Sequence, residues 1–391
     1  MKTNNDLPRI EIPVARPDLN GNESAYVARA IESTWISSTG EYVERFERTF
    51  AELCGAQTAL AVCNGTAALH LALLTLDVRP GDEVIVPSLT YVATANAVRY
   101  VGAKPVFVDV DPMTWCLDPA RLEDAITPRT RGIIPVHLYG HPADMDTINQ
   151  IAAVHGLWVV EDAAEAPLAK YRGRPTGSLG TIATFSFYGN KILTSGEGGA
   201  ITVADGRLEI RARTLRDQGL DPKRRYFFPV TGYNFRLTNV ACALLVAQLE
   251  RQETLLARRR QLFAMYQERL SDVPGIGLQP NAEWALLAPW LFCITVDKGS
   301  GPQRRDELAL YLRRRGIDTR PFFIPLHTLP PFREDRRRHA HFPVTESLAA
   351  SGLNLPTYST MTDHDLDRVA EAIRSWQQST NVTHRAKASR L

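Results

Sequence analysis

Cysteine is scarce in this 391-residue chain: five residues, at 54, 63, 116, 242 and 293, with no CxxC pair among them. That excludes a disulfide framework and leaves no spacing for a zinc or iron–sulfur site, so reduced thiols are expected. Long apolar runs are missing too; none approaches the ~20 residues of a membrane span. The start MKTNNDLPRIEIP lacks the apolar centre of a signal peptide, and a cytoplasmic protein is expected. Net charge is only +2, from 45 basic and 43 acidic residues, which gives no reason to make nucleic acid or an acidic membrane the main partner. The arginine clusters at 258–260, 313–315 and 336–338 read as solvated faces, with nucleotide phosphate as a lesser candidate. Neither GxGxxG nor GxxxxGK[ST] occurs, so the Rossmann and Walker phosphate loops are excluded.

What the chain does have is alternation. TALAV (58–62), EVIVPS (83–88), PVFVDV (105–110), GIIPVH (132–137) and LWVVED (157–162) are short and rich in β-branched residues, as buried parallel strands are. Segments 67–76 and 144–155 between them carry apolar residues at three- and four-residue spacing, which predicts an α/β sheet covered by helices. In such sheets ligands bind beyond the carboxyl ends of the strands. After Thr238 the pattern changes: residues 238–270 predict one long or kinked helix leading to a smaller α+β unit, with LFCITV (291–296) as a strand and a helix over 304–315. We therefore expect a large domain over 1–250, a small one over 251–380, and a polar, basic, flexible tail over 381–391.

Three stretches carry candidate chemistry. NGT (64–66) lies where a strand gives way to a helix, a place for an anion on free N–H groups or for a plain N-cap. Asp162 ends LWVVED and either caps the next helix or faces a pyridinium nitrogen, whose proton an ionised carboxylate would keep in place. Lys191 sits in FSFYGNKILTSGEGGA (185–200), among aromatic, small and glycine residues. An isolated loop lysine points into water, but partial burial would lower its pKa and make it a Schiff-base nucleophile. Phosphate cradle, carboxylate and lysine come in the order of a pyridoxal phosphate (PLP) site, and their joint occurrence is far more specific than any one.

With WISSTGEYVERFE (35–47), NGTAALHLAL (64–73), PSLTYVATANAVRY (87–100), HLYGHPADMD (137–146), EDAAEA (161–166), GYNFRLTN (232–239) and GLNLPTYS (352–359), the chain resembles the fold-type-I, PLP-dependent aminotransferases of nucleotide-linked keto-sugars. The resemblance spans about residues 12–373. It implies a large α/β domain with a mostly parallel seven-stranded sheet, a small α+β domain, and a homodimer with shared active sites. It also implies Lys191 as the residue that carries PLP, Asp162 on the pyridine nitrogen and Tyr91 on the ring face. Gly65, Thr66, Ala67 and Ser186 would hold the phosphate, and Asn234 would reach that of the neighbouring subunit. Ser37, Arg225, Arg236 and His327 are candidate sugar or nucleotide contacts.

With TWCLDP (114–119), GLDPKRRYFFP (219–229) and RPFFIPLHTLPPF (320–332) the chain most resembles one subgroup of this family, and the resemblance implies L-glutamate as donor and C4 of GDP-4-keto-6-deoxy-D-mannose as the expected acceptor. Two departures stand out. Glu165 replaces the Gln common near the pyridoxal 3-oxygen, which fits this subgroup, and Pro167-Leu168-Ala169 replaces a glycine-containing run. A 3- or 4-aminotransferase on another sugar, such as a dTDP-linked one, is the nearest alternative. A sugar dehydratase is disfavoured by Lys191 and by the missing cysteine cluster. A non-catalytic PLP-binding regulator and a DNA-binding protein complete the alternatives.

Overall fold

In the computed structural model, which describes residues 7–335 and 340–388, the apolar runs become strands close to their expected bounds. They are β1 (Thr58–Val62), β2 (Glu83–Pro87), β3 (Lys104–Val108), β4 (Thr130–Ile133) and β5 (Trp158–Asp162). The short β6 (Lys170–Tyr171) and β7 (Arg174–Pro175) come next, then β8 (Ile182–Ser186) and β9 (Gly199–Val203). Seven of these form one sheet in the order β1-β9-β8-β5-β4-β2-β3. All neighbours in it are parallel except at β9, which is antiparallel to both β1 and β8. TALAV thus differs from the expected parallel strand: it points the same way as the others but pairs only with the reversed β9.

The strand period of two divides the core. Ala59 and Ala61 of β1, Ile85 of β2 and Val159 of β5 pack on one side; Leu60, Val62, Val84, Val86 and Val160 pack on the other. Both faces are buried under helices, which is why these strands read as nearly continuous apolar runs.

A second sheet, in the order β10-β12-β14-β13, is built from β10 (Ile276–Leu278), β12 (Phe292–Val296), β13 (Arg320–Pro321) and β14 (Gly352–Leu355). The small strand β11 (Ala285–Leu286) pairs with β6. The second sheet has its own core, in which Phe292, Ile294 and Val296 meet Leu262, Tyr266, Leu308 and Ile373 of the flanking helices.

The expected helix over 238–270 is two, Asn239–Glu250 and Gln252–Leu270, separated at Arg251 (φ −108°, ψ 6°). Thr238 caps the first, accepting from the Ala241 N–H at 3.2 Å. The arginine cluster at 258–260 is not a solvated face. Arg259 is buried and donates to the carbonyls of Pro289, Trp290 and Thr357, and Arg260 reaches the carbonyl of Leu287. Burial pulls the Arg259 pKa down to about 10, and its carbonyl partners explain why the cost is tolerated. Arg336–Arg338 lie outside the described residues. The last helix, Asp363–Ala388, runs into the segment expected to be a tail, whose final residues 389–391 are also outside. Among the described residues no helix is long and apolar enough to cross a membrane.

Candidate active site

A cavity of about 800 Å³ opens at the carboxyl ends of β1, β5 and β8, where an α/β sheet is expected to bind its ligand. Its floor is the turn from β1 into the helix Gly65–Thr75. Asn64 is an N-cap, its Oδ1 accepting from the Ala67 N–H at 2.9 Å, so Ala67 lines the cavity with that N–H already engaged. The N–H groups of Gly65 and Thr66 head the helix without an intrahelical acceptor, and the Thr66 side chain and Ser186 stand beside them. Both alternatives for NGT therefore hold at once: one turn caps a helix and presents donors to a cavity. A Cβ on Gly65 would sit 2.8 Å from that of Ser186, and one on Gly199 2.6 Å from the Asn64 carbonyl. The glycines let two strand ends close on the turn.

β5 delivers two acids to opposite faces. Glu161 points away from the cavity and is saturated, accepting from the N–H groups of Gly177, Leu179 and Gly180 and from His137 Nε2. His137 Nδ1 accepts from the Ala143 N–H, which leaves Nε2 as the ring's donor toward Glu161. Asp162 faces the cavity. Its Oδ2 accepts from the Thr94 hydroxyl at 2.8 Å and its Oδ1 from the Ala164 N–H at 3.2 Å. Burial raises the pKa of this carboxyl; the Thr94 hydroxyl, the Ala164 amide and the Lys191 charge oppose that rise.

Lys191 projects from the loop between β8 and β9. Its Nζ lies 3.9 Å from the centre of the Trp290 ring, and Trp290 is fixed from both ends. The indole N–H donates to the Asn190 carbonyl at 2.7 Å, and the Trp290 carbonyl accepts from Arg259 at 2.7 Å. Burial lowers the lysine pKa, against the pull of Glu165 and Asp162, as a nucleophilic amine requires. Glu165 is buried, with Oε2 accepting from the Tyr139 N–H at 2.8 Å. Tyr139 holds φ 51°, a left-handed conformation that costs about 1 kcal/mol or more in a non-glycine residue. Burial chiefly, with Asp162 adding, pushes the Glu165 pKa up to about 7.

Of the residues singled out in the sequence, Gly65, Thr66, Ala67, Tyr91, Asp162, Glu165, Ser186 and Lys191 line this one cavity. Five are elsewhere in the chain. Asn234 is exposed and bridges Asp217. Ser37 is exposed, and its carbonyl accepts from the Asn239 N–H. Arg225 lies over the Tyr226 ring on an exposed loop. Arg236 is half-buried beside Val62, with its Nε unpartnered among the described residues. His327 is buried between Ser88 and Glu346 and stacked on Phe342.

Sequence reasoning missed Thr94, Trp290, Arg320 and Phe323, all of which line the cavity. Thr94 sits inside a quoted motif, four residues after Thr90, whose hydroxyl it meets at 3.3 Å. That i, i+4 hydroxyl pair was the available signal. Arg320 and Phe323 also sit in a quoted stretch, RPFFIPLHTLPPF, but neither was singled out there; Trp290 lies in no quoted motif.

Comparison with known proteins agrees with this geometry. The sequence profile of the DegT/DnrJ/EryC1/StrS aminotransferase family matches residues 17–374. The chain is 48% identical to the GDP-perosamine synthase of Caulobacter vibrioides, over 94% of this chain and 98% of that one. It is 39% identical to the dTDP-3-amino-3,4,6-trideoxy-alpha-D-glucose transaminase of Streptomyces venezuelae, over 95% and 96%. Among solved structures it is similar to a Streptococcus pneumoniae chain described as a sugar aminotransferase, Spr1654, in its PLP form. That match has a TM-score of 0.89 at 27% identity, covering 94% of this chain and 99% of the other.

Proposed function

The chain belongs to the DegT/DnrJ/EryC1/StrS aminotransferase family, and from that premise we propose a specific reaction for it. It moves the amino group of L-glutamate to C4 of GDP-4-keto-6-deoxy-D-mannose, giving GDP-perosamine. The chain is a PLP-dependent aminotransferase of the fold expected from its sequence. The observation that carries the reading is the meeting of Lys191, Asp162 and the Gly65 turn in one cavity. The choice of sugar is supported by the 48% identity to a GDP-perosamine synthase.

The residues fit the cofactor: N–H and hydroxyl donors for a phosphate, a buried carboxylate for a ring nitrogen, and an amine of lowered pKa. When bound, PLP supplies an electron sink for the reacting carbon. Gly65 and Thr66 would hold the phosphate with their N–H groups, and Thr66 and Ser186 with their hydroxyls; Ala67 would line it. Asp162 would keep the ring nitrogen protonated. Glu165, poised between its two charge states, would share a proton with the 3-oxygen rather than place a second anion against it. Tyr91 would cover the ring face. The amine of Lys191 would take the proton from the substrate carbon as base and deliver it to the cofactor's C4′ carbon as acid.

A homodimer completes the site, with Asn234 reaching the neighbouring subunit's phosphate and Ser37, Arg225 and Arg236 available to the nucleotide. Trp35 and Ile36, at 57 and 53% exposed, and Tyr226 and Phe228, at 75 and 52%, are large apolar side chains left in solvent, which supports that interface. His327, engaged on both ring nitrogens, belongs to the fold rather than to the substrate. All five cysteines are free, consistent with work in the reducing cytoplasm. A second reading, 3- or 4-amination of a dTDP-linked keto-sugar, is favoured by the Streptomyces relative.

The experiment is to supply the purified, PLP-loaded protein with L-glutamate and monitor the cofactor's visible absorption band. GDP- and dTDP-linked keto-sugars are then offered separately, and the products are identified by NMR. Bleaching by glutamate and a C4-amino GDP sugar are expected. Amination at C3, or turnover of dTDP sugars alone, would replace the first reading with the second. A fully active Lys191→Ala variant would refute the assignment of the lysine.

A further inference from the structure

Arg320 opens β13, whose two residues pair with Asn354 and Leu353 of β14, so its backbone is fixed at the edge of the small sheet. Its side chain lines the cavity of Lys191, beside Trp290, Tyr91 and Phe323. Several other arginines hold carboxylates: Arg99 holds Asp335, Arg129 holds Glu83, Arg216 holds Glu47 and Arg304 holds Asp297. Arg320 has no ion pair and no side-chain hydrogen bond among the described residues. Its charge still reaches the reactive amine. Burial is the main cause of the lowered Lys191 pKa, Glu165 and Asp162 oppose it, and Arg320 is the cation that adds to it.

We propose that Arg320 receives the carboxylate of the amino-acid donor. The inference rests on the aminotransfer reading above and adds the means of donor recognition. A guanidinium presents paired N–H groups that match a carboxylate bidentately. The two substrates differ in where their negative charge lies. An amino acid carries its carboxylate on the carbon that reacts, whereas a nucleotide sugar aminated at C4 keeps its diphosphate across the hexose ring, at C1. A cation on the wall of the cavity that holds Lys191 is therefore placed for the first. Asp162 and Glu165, on the other side of the lysine's charge balance, would repel a donor carboxylate, and Arg320 offsets that repulsion. Because the side chain is exposed, it can leave the sugar unhindered in the other half-reaction.

The test separates the half-reactions in the PLP-loaded dimer by rapid mixing, for wild type, Arg320→Leu and Arg320→Lys. With Leu, kcat/KM for L-glutamate should fall roughly 10- to 100-fold, the worth of a charge-assisted hydrogen-bonded contact. Lys should recover part of the loss, and the keto-sugar half-reaction should stay within about twofold. A readout without turnover is fluorescence titration with glutarate, whose affinity should drop in Leu and recover in Lys. Equal losses in both half-reactions, a loss confined to the keto-sugar, or no loss in either would overturn the proposal. A wild-type enzyme that no amino acid converts would instead remove the aminotransfer reading itself.

Discussion

Glu165 makes a quantitative prediction about stability. Its carboxyl is buried, accepts one backbone N–H and is raised from 4.5 to about 7 in the folded chain. A raised carboxyl binds its proton more tightly when folded than when unfolded. Stability from this group is therefore fully present below pH 4.5 and is lost as pH rises through about 7. Each pKa unit is worth 1.36 kcal/mol, so most of that loss, roughly 2–3 kcal/mol, falls between about pH 5 and pH 8. Glu165→Gln keeps the size and an acceptor for the Tyr139 N–H but cannot ionise. Urea denaturation of the PLP-free protein, wild type and variant, at both pH values is the assay. The variant should gain on the wild type by roughly 2–3 kcal/mol between the two. Parallel pH dependences, or a variant that loses ground at pH 8, would refute the claim that a buried carboxyl is forced to ionise there.

Thr94→Val removes the hydroxyl on Asp162 Oδ2; cofactor affinity, read by fluorescence titration, should fall about tenfold or more, with Thr94→Ser restoring it. Gly65→Ala puts a Cβ 2.8 Å from that of Ser186, so PLP retention on dialysis should be lost while circular dichroism still shows the helices. His327→Leu breaks the contacts to Ser88 and Glu346 and should cost about 1–3 kcal/mol in urea denaturation with KM for the keto-sugar unchanged. A selective rise in that KM would return His327 to the substrate contacts.

One distinction separates the legible features from the hidden ones: local pattern against distant assembly. β1, β2 and β5 were legible because β-branched runs of about five residues cannot be helices of useful length. The direction of β9 was not, because GAITV is buried on both faces and its sequence carries no mark of direction along the chain. Asp162 and the Gly65 turn were legible because strand ends in an α/β sheet are where ligands bind. Glu161, one residue before Asp162, shows how narrow that inference is: the strand period of two turns it to the opposite face, where it ties down residues 177–180. The arginine cluster misled for a related reason. Arg259 carries the composition of a surface, yet carbonyls from residues 289, 290 and 357 converge on it, and no window of sequence contains them. The same separation hides Trp290, Arg320 and Phe323. Each lies about 100 residues or more beyond Lys191 and reaches it only because the small sheet packs against the large one. The chemistry of the lysine could be read from its neighbours in sequence. The wall that faces its amine, and the cation that prepares it for a charged donor, required the fold.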